Sequence, residues 1–208
     1  MSSELDLSDL KLKDDLKLKE VELFGGAMTM LMPAVFVDIS NFRQIPDTQE
    51  CWADTEDTDQ SVIVEILAHE DQVQGAAIAE YYWDDIAQCN EASGESENVI
   101  TVAPKELTHS LIKTIPTSDS KVAEPSCWVA HGHQRVSKFK EHIPSLDSDV
   151  VLHLNRPIEI MPNSRKVQRS AEFVSLEQSG DSTKDGIDLF LAMLHSLRVK
   201  DWGLFASP

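Results

Sequence analysis

Residues 61–67 read Ser-Val-Ile-Val-Glu-Ile-Leu, a run rich in β-branched side chains. Such side chains suit the pleated, half-buried surface of a strand. Val62, Val64 and Ile66 point to one side of an extended chain, and Glu65 points to the other side with apolar neighbours. Apolar residues on both sides are typical of a strand that is at least partly covered on both faces. We therefore predict a central strand here, with Glu65 as its one charged residue.

Two strands joined by a tight turn are predicted upstream of this run. Residues 21–24 and 27–32 have strand composition and are separated by the Gly-Gly pair at 25–26. Glycine at both central positions permits the positive φ angles of a two-residue type I′ hairpin turn. Pro33 should end the second strand, because proline cannot donate a ladder hydrogen bond.

Further strands and two helices are predicted around these elements. Strands are predicted at residues 49–52, 127–136 and 150–154. Apolar residues recur at helical spacing in two other segments. They are Ile78, Tyr82, Ile86 and Cys89 in the first and Ile187, Phe190, Leu191, Leu194 and Leu197 in the second. Strands and helices without regular alternation favour an α/β fold of the α+β type, with a mainly antiparallel sheet flanked by helices.

The chain of 208 residues is predicted to hold one domain after a flexible tail. Residues 1–19 consist almost wholly of Leu, Asp, Ser and Lys, and no single helical or strand register fits them. We interpret them as a tail outside the domain. Order is expected to begin at Glu20, so that residues 20–208 form a single α/β domain.

The sequence predicts neither a membrane span nor a secretory signal. No run approaches the ~18 uninterrupted apolar residues of a membrane helix. The N-terminus carries Glu4, Asp6 and Asp9 instead of a basic start followed by an apolar stretch. We therefore expect a cytosolic or nuclear protein.

The charge of the chain is concentrated in its first half. Residues 1–100 hold 23 acidic and 5 basic side chains, whereas residues 44–104 hold 15 acidic side chains and no Lys or Arg. Such a field disfavours nucleic acid and anionic membranes, because both bind through Lys and Arg. It favours a basic protein surface as partner. The alternative is a solvated acidic face that only keeps the protein soluble.

Motifs for nucleotide or ester chemistry are absent from the sequence, and one weak metal pattern is present. The chain lacks GxxxxGK(S/T), GxGxxG and GxSxG. His131 and His133 are one residue apart on a predicted strand, where both point to the same face, and His153 on another strand would supply a third nitrogen to a zinc ion. A metal-dependent enzyme centred on His131 and His133 is therefore an alternative function. The same histidines equally suit a half-exposed strand face.

Four segments of the chain resemble one known family. They are VELFGGAMT at Val21–Thr29, FRQIPDTQE at Phe42–Glu50, TDQSVIVEIL at Thr58–Leu67 and VKDWGLFA at Val199–Ala206. The family is the Mog family of Ran-binding nuclear import factors, also called Ran guanine nucleotide release factors. The resemblance implies a twisted, mainly antiparallel sheet between helices, similar to the PsbP fold. It also implies a non-enzymatic protein of the nucleus and cytoplasm that binds the GTPase Ran and promotes release of its GTP.

The resemblance also implies which residues contact Ran. The residues are Asp47, Gln49, Glu50 and Glu65, with Arg43 organising the carboxylates. The family pattern has a second acid three residues after Glu65, where this chain has Ala68. No cofactor is implied, and we expect a monomer. An acidic adaptor for other basic proteins is a further alternative.

Overall fold

A computed structural model describes residues 12, 16–54, 58, 60–92, 94–95, 97–107, 126–134, 148–156 and 181–205. The described strands are β1 (Leu18–Leu23), β2 (Met28–Pro33), β3 (Val37–Asp38), β4 (Gln49–Ala53), β5 (Ser61–Ala68), β6 (Asn98–Leu107), β7 (Cys127–Gln134), β8 (Ser148–Asn155) and β9 (Arg198–Val199). The described α-helices are α1 (Ala76–Cys89) and α2 (Asp181–Ser196). Within the described ranges, no helix is both long enough and apolar enough to cross a membrane.

The chain divides into two compact units. The smaller unit comprises Leu67–Asp149, and the larger one combines Leu5–Ile66 with Val150–Ala206. The single domain over residues 20–208 stays a prediction, and most of the predicted tail lies outside the described residues.

The larger unit contains two sheets and α2. One sheet has the order β1-β2-β9 and the other has the order β3-β4-β5-β8. The helix α2 packs against β2, and the hydroxyl of Ser196 accepts a 2.8 Å hydrogen bond from the backbone N–H of Leu31. The fully buried side chains of this unit are Leu23, Met28, Met30, Met32, Phe36, Val62, Val64 and Met193. Its core therefore consists of sheet residues together with Leu189, Leu191 and Met193 of α2. Of the apolar residues predicted to line this helix, Ile187, Phe190 and Leu194 are only partly buried.

The first strand begins two residues before the predicted start of order at Glu20. Lys19 pairs with Met32 in the antiparallel ladder of β1 and β2. Its ammonium group donates a 2.7 Å hydrogen bond to the carbonyl of Phe36 and lies 5.6 Å from the centre of the Trp52 ring. These contacts hold a charged residue in a strand that the polar composition of residues 1–19 did not indicate.

The hairpin of β1 and β2 is confirmed, but the predicted two-residue turn is wrong. The ladder ends at the pair Leu23 and Met28, so four residues form the connection. Phe24, Gly25 and Gly26 all have positive φ angles, of 50°, 64° and 93°. The turn therefore places a bulky residue, Phe24, in a region that normally favours glycine.

The smaller unit contains α1 packed against the two-stranded antiparallel sheet of β6 and β7. The strand β6 was not predicted. Its pairing shifts between Ile100 and Val102 and again between Val102 and Lys105. Such irregularities accommodate Pro104, which cannot donate to a ladder and which disguises the strand in the sequence.

The remaining predictions of elements are confirmed within the described residues. The strands predicted at 49–52, 61–67, 127–136 and 150–154 correspond to β4, β5, β7 and β8, and both predicted helices are present. Residues 135–136 of the predicted strand lie outside the described residues. Antiparallel pairing and two helices confirm the α+β class. The predicted alternation of β5 holds up to Val64, but Leu67 is buried where Ile66 was expected.

Candidate functional site

The register of β4 and β5 decides which candidate residues share a surface. The two strands are antiparallel, with Gln49 opposite Glu65, Glu50 opposite Val64 and Cys51 opposite Ile63. Directly opposed residues point to the same face of a sheet, and successive residues point to opposite faces. Gln49, Cys51, Ile63 and Glu65 therefore lie on one face, which we call the Glu65 face.

The turn that carries Asp47 is held against the end of the β4–β5 ladder. The backbone N–H of Gln49 donates a 2.9 Å hydrogen bond to the carbonyl of Pro46, which closes the turn. The N–H of Ile66 donates a 2.9 Å bond to the carbonyl of Thr48. Asp47 is exposed. It directly precedes Thr48, whose carbonyl accepts the bond from Ile66, the residue after Glu65. The ladder thus brings Asp47 to the end of the sheet at which Gln49 and Glu65 lie.

The side chain of Arg43 reaches the Glu65 face. The backbone N–H of Arg43 donates a 3.1 Å hydrogen bond to the carbonyl of Ile39, and Nη2 of its side chain donates to Sγ of Cys51 at 4.0 Å. Burial raises the pKa of the Cys51 thiol, and the neighbouring guanidinium opposes that rise. The structure therefore places the cation beside Cys51 on the face that carries Gln49 and Glu65. Its predicted role in organising the carboxylates stays a prediction.

Glu50 points to the other face of the sheet. There it lies on the side of the buried Val64, and its Oε1 accepts a 2.6 Å hydrogen bond from the backbone N–H of Phe24. Burial raises the pKa of the Glu50 carboxyl, the bond from Phe24 opposes that rise, and the negative charge of Asp38 adds to it. Glu50 therefore stabilises the left-handed conformation at Phe24 and holds the β1–β2 turn against β4.

The solvent exposure of one residue in this region was not predicted from the sequence. Phe42 is 73% exposed, although it directly precedes Arg43 in the FRQIPDTQE segment. The sequence carried no signal for this exposure, because burial of an aromatic residue depends on tertiary packing.

The histidines of the alternative metal hypothesis form a pair. The rings of His131 and His133 are 5.8 Å apart between centroids, and Nδ1 of His131 lies 2.9 Å from the hydroxyl of Thr101. Burial and the neighbouring His133 lower the pKa of His131. The part of the chain that the structure describes contains no group of three or more His, Cys, Asp or Glu suited to a metal ion.

The third histidine of that hypothesis lies in the larger unit. Burial lowers the pKa of His153 to about 4, and its buried Nε2 has no hydrogen-bond partner in the structure. His153 is therefore neutral at pH 7. The rings of His131 and His133 both belong to the smaller unit.

Comparison with known proteins gives one family and several relatives. Residues 21–158 match the family model described as Ran-interacting Mog1 protein. A Danio rerio protein named Ran guanine nucleotide release factor is 32% identical over 197 residues, which cover 88% of this chain and 97% of that protein. The Saccharomyces cerevisiae nuclear import protein MOG1 is 35% identical over 82 residues, which cover 35% of this chain and 38% of that protein.

The fold also resembles a solved structure. The crystal structure of the Saccharomyces cerevisiae Ran-binding protein MOG1P superposes with a TM-score of 0.53. The match covers 92% of this chain and all of that chain, at 21% sequence identity. At this identity the likeness concerns the fold alone, and it agrees with the α+β architecture described above.

Proposed function

The chain belongs to the family of Ran-interacting Mog1 proteins, and we propose on this basis that it binds Ran, promotes release of its guanine nucleotide and supports nuclear protein import. The observation that carries the proposal is the match to the Danio rerio release factor along 88% of this chain. The name of the yeast relative, nuclear import protein, supports the transport role.

The proposed Ran-binding surface is the Glu65 face with its flanking residues. Gln49 and Glu65 are opposed on β4 and β5, Asp47 is exposed in the turn beside them, and Arg43 lies over Cys51. A half-buried carboxylate on a rigid ladder is suited to pair with a cation of the partner, because its position is fixed before binding. Glu65 is the one acidic residue in β5, and Ala68 offers no second carboxylate.

Glu50 has a different place in the proposal. Its carboxylate already accepts the hydrogen bond from Phe24 and lies on the side of the core. We therefore propose that Glu50 supports the Ran-binding surface by positioning β4, in addition to any contact that its second oxygen makes with Ran.

The proposed activity is a coupling between two binding equilibria and involves no covalent step. If the protein binds Ran more tightly without nucleotide than with it, then nucleotide must bind more weakly to the complex by the same factor. The carboxylates would act by pairing with cations of Ran that otherwise stabilise the phosphates, or by biasing the loops that surround them. GTP is the nucleotide that we propose is released.

The cellular setting follows from the proposed partner. A protein that supports nuclear import encounters Ran in the nucleus and in the cytoplasm, and we propose both locations. We also propose that it acts as a monomer and without a cofactor.

The affinity for Ran tests the proposed surface. Glu65→Lys reverses the charge on the β4–β5 ladder, and Glu80→Lys makes the same change at an exposed position of α1. We expect Glu65→Lys to weaken binding at least ~100-fold, because like charges oppose each other at a desolvated contact. Glu80→Lys should change the dissociation constant by less than about threefold, because its charge is exposed on a helix that the proposed surface does not include and is screened by salt.

Circular dichroism and the melting temperature control for folding of both variants. Equal losses of affinity in the two variants would contradict a local role for Glu65 and would attribute binding to net charge. A folded wild-type protein that does not bind Ran would contradict the proposed function itself.

A further inference from the structure

Phe42 presents an aromatic side chain to solvent at the edge of the proposed Ran-binding surface. It is the most exposed of the large apolar residues that the structure describes, at 73%, followed by Val35 at 64%. Transfer of an aromatic ring out of water lowers the free energy, and phenylalanine has no polar atom that favours exposure. Its solvent exposure is therefore unfavourable unless a partner covers it.

The backbone that carries Phe42 is held by a set of local hydrogen bonds. Oδ1 of Asp38 accepts a 2.8 Å bond from the N–H of Ser40, and Asn41 Nδ2 donates a 3.2 Å bond to the carbonyl of Asp38. The N–H groups of Phe42 and Arg43 both donate to the carbonyl of Ile39, at 2.9 and 3.1 Å. The ring is thus presented on an ordered turn, so that binding through it orders little additional backbone.

This turn is attached to the sheet that carries the Glu65 face. Asp38 pairs with Trp52 in the ladder of β3 and β4, and Arg43 contacts Cys51. Phe42 lies between these two attachments in sequence. An apolar ring beside exposed charged residues has the composition of a binding hot spot, in which an aromatic residue is surrounded by polar ones.

We propose that Phe42 is an apolar anchor for Ran. Its ring inserts into an apolar recess on the GTPase, and basic side chains of the GTPase border that recess. The inference rests on the proposed function and extends it, because the predicted contact residues are all polar or charged. Basic residues should border the recess, since residues 44–104 carry 15 acids and no Lys or Arg. The acidic residues and Phe42 then have separate roles. The charges accelerate association, and the ring slows dissociation.

The test compares Phe42→Ser and Phe42→Leu with Val35→Ser, an exposed apolar residue outside the FRQIPDTQE segment. Binding of each full-length variant to Ran is measured as association and dissociation rates at low and moderate salt. We expect Phe42→Ser to weaken affinity ~10- to 100-fold, the range for loss of a hot-spot side chain. The loss should lie in the dissociation rate and should be similar at both salt concentrations. Phe42→Leu should stay within about fivefold of wild type, and Val35→Ser within about twofold.

The controls separate the anchor from its alternatives. The melting temperature of Phe42→Ser should match that of wild type, because an exposed ring contributes little to the fold. A clear drop would mean that the ring packs within its own chain and would overturn the proposal. Self-association of wild type that Phe42→Ser abolishes, together with unchanged Ran binding, would assign the ring to a second copy of the chain and would also overturn it.

Failure of the anchor is distinguishable from failure of the proposed function. If wild type binds Ran and Phe42→Ser binds with the same rates, the anchor is wrong and the proposed function stands. If wild type does not bind Ran, both are wrong.

Discussion

Glu50 illustrates how a residue that is predicted to contact a partner can also have a structural role. Its carboxylate accepts a hydrogen bond from Phe24, a residue whose positive φ of 50° is unfavourable for a large side chain. Strained backbone of this kind costs of the order of 1–3 kcal/mol and persists only where the surroundings enforce it. The bond from Phe24 to Glu50 is one such enforcement.

Substitution of Glu50 should separate its hydrogen bond from its charge. Glu50→Gln retains an acceptor for Phe24 and removes a partly buried charge, so its free energy of unfolding at pH 7 should equal or exceed that of wild type. Glu50→Ala leaves the N–H of Phe24 without this acceptor and should lose about 1–3 kcal/mol. Chemical denaturation of both variants measures the difference. A Glu50→Gln variant as unstable as Glu50→Ala would contradict the hydrogen-bonding role.

The pH dependence of stability follows from the direction of the Glu50 pKa shift. Burial raises the pKa of the folded state above the ordinary value of 4.5. Between these two pKa values the folded state binds more protons than the unfolded state, so the contribution of Glu50 to stability falls as the pH rises through this window. Relative to Glu50→Gln, wild type should therefore gain stability as the pH is lowered from 7 to 4. Chemical denaturation at several pH values measures this difference, and a difference between wild type and Glu50→Gln that stays constant from pH 7 to 4 would contradict the raised pKa.

The placement of the candidate residues was only partly predictable from the sequence. The family resemblance of the FRQIPDTQE and SVIVEIL segments made Asp47, Gln49 and Glu65 candidates, and the structure brings them to one end of the β4–β5 ladder. The sequence did not show that Glu50 lies on the side of the core whereas Gln49 lies on the Glu65 face. Which side of a strand is covered depends on the neighbouring layers of the fold. For the same reason, the sequence did not indicate that Phe42 is exposed.

At the scale of elements, close packing of α1 against the sheet of β6 and β7 depends on Gly132. A Cβ atom at this position would lie 2.8 Å from the ring of Trp83 and would also overlap the carbonyl of Val99. Trp83 cannot easily withdraw, because its indole donates to Oδ1 of Asn98 and its carbonyl accepts a 3.0 Å bond from Gln134. Gly132 is therefore required for space.

Gly132→Ala should destabilise this unit. We expect a loss of about 1–3 kcal/mol, the usual cost of overpacking. Amide hydrogen exchange should become faster in α1, β6 and β7. Ala103→Val, which adds bulk at an exposed position of β6, is the matched control and should leave exchange unchanged. Wild-type exchange rates in Gly132→Ala would contradict the packing described here.

The hairpin and β6 mark the limits of prediction at this scale. The Gly-Gly pair correctly located the connection of β1 and β2, but the register that ends at Leu23 and Met28 is set by the ladder and by packing on α2. β6 was missed because Pro104 and two shifts of pairing interrupt its alternation. Local patterns identified elements whose periodicity is regular, and they failed where tertiary contacts stabilise an irregular one.

At the scale of the whole molecule, the uneven charge connects the sequence to the proposed function. A chain with a net charge of −18, of which residues 1–100 carry the whole excess, attracts a basic partner from a distance. The charge alone did not identify that partner. The match to the family of Ran-interacting Mog1 proteins identifies Ran as the proposed partner, and the β4–β5 ladder fixes the position of Glu65, the residue that we propose contacts it.

The most direct test of this account is the dissociation rate of a fluorescent GTP analogue from Ran. The rate is measured with wild type and with Glu65→Lys, at low and moderate salt. We expect that wild type accelerates release, that Glu65→Lys does not, and that the acceleration decreases as salt screens the charges. Release that wild type leaves unchanged, or that Glu65→Lys accelerates as strongly as wild type, would contradict the proposed function of Glu65 in nucleotide release.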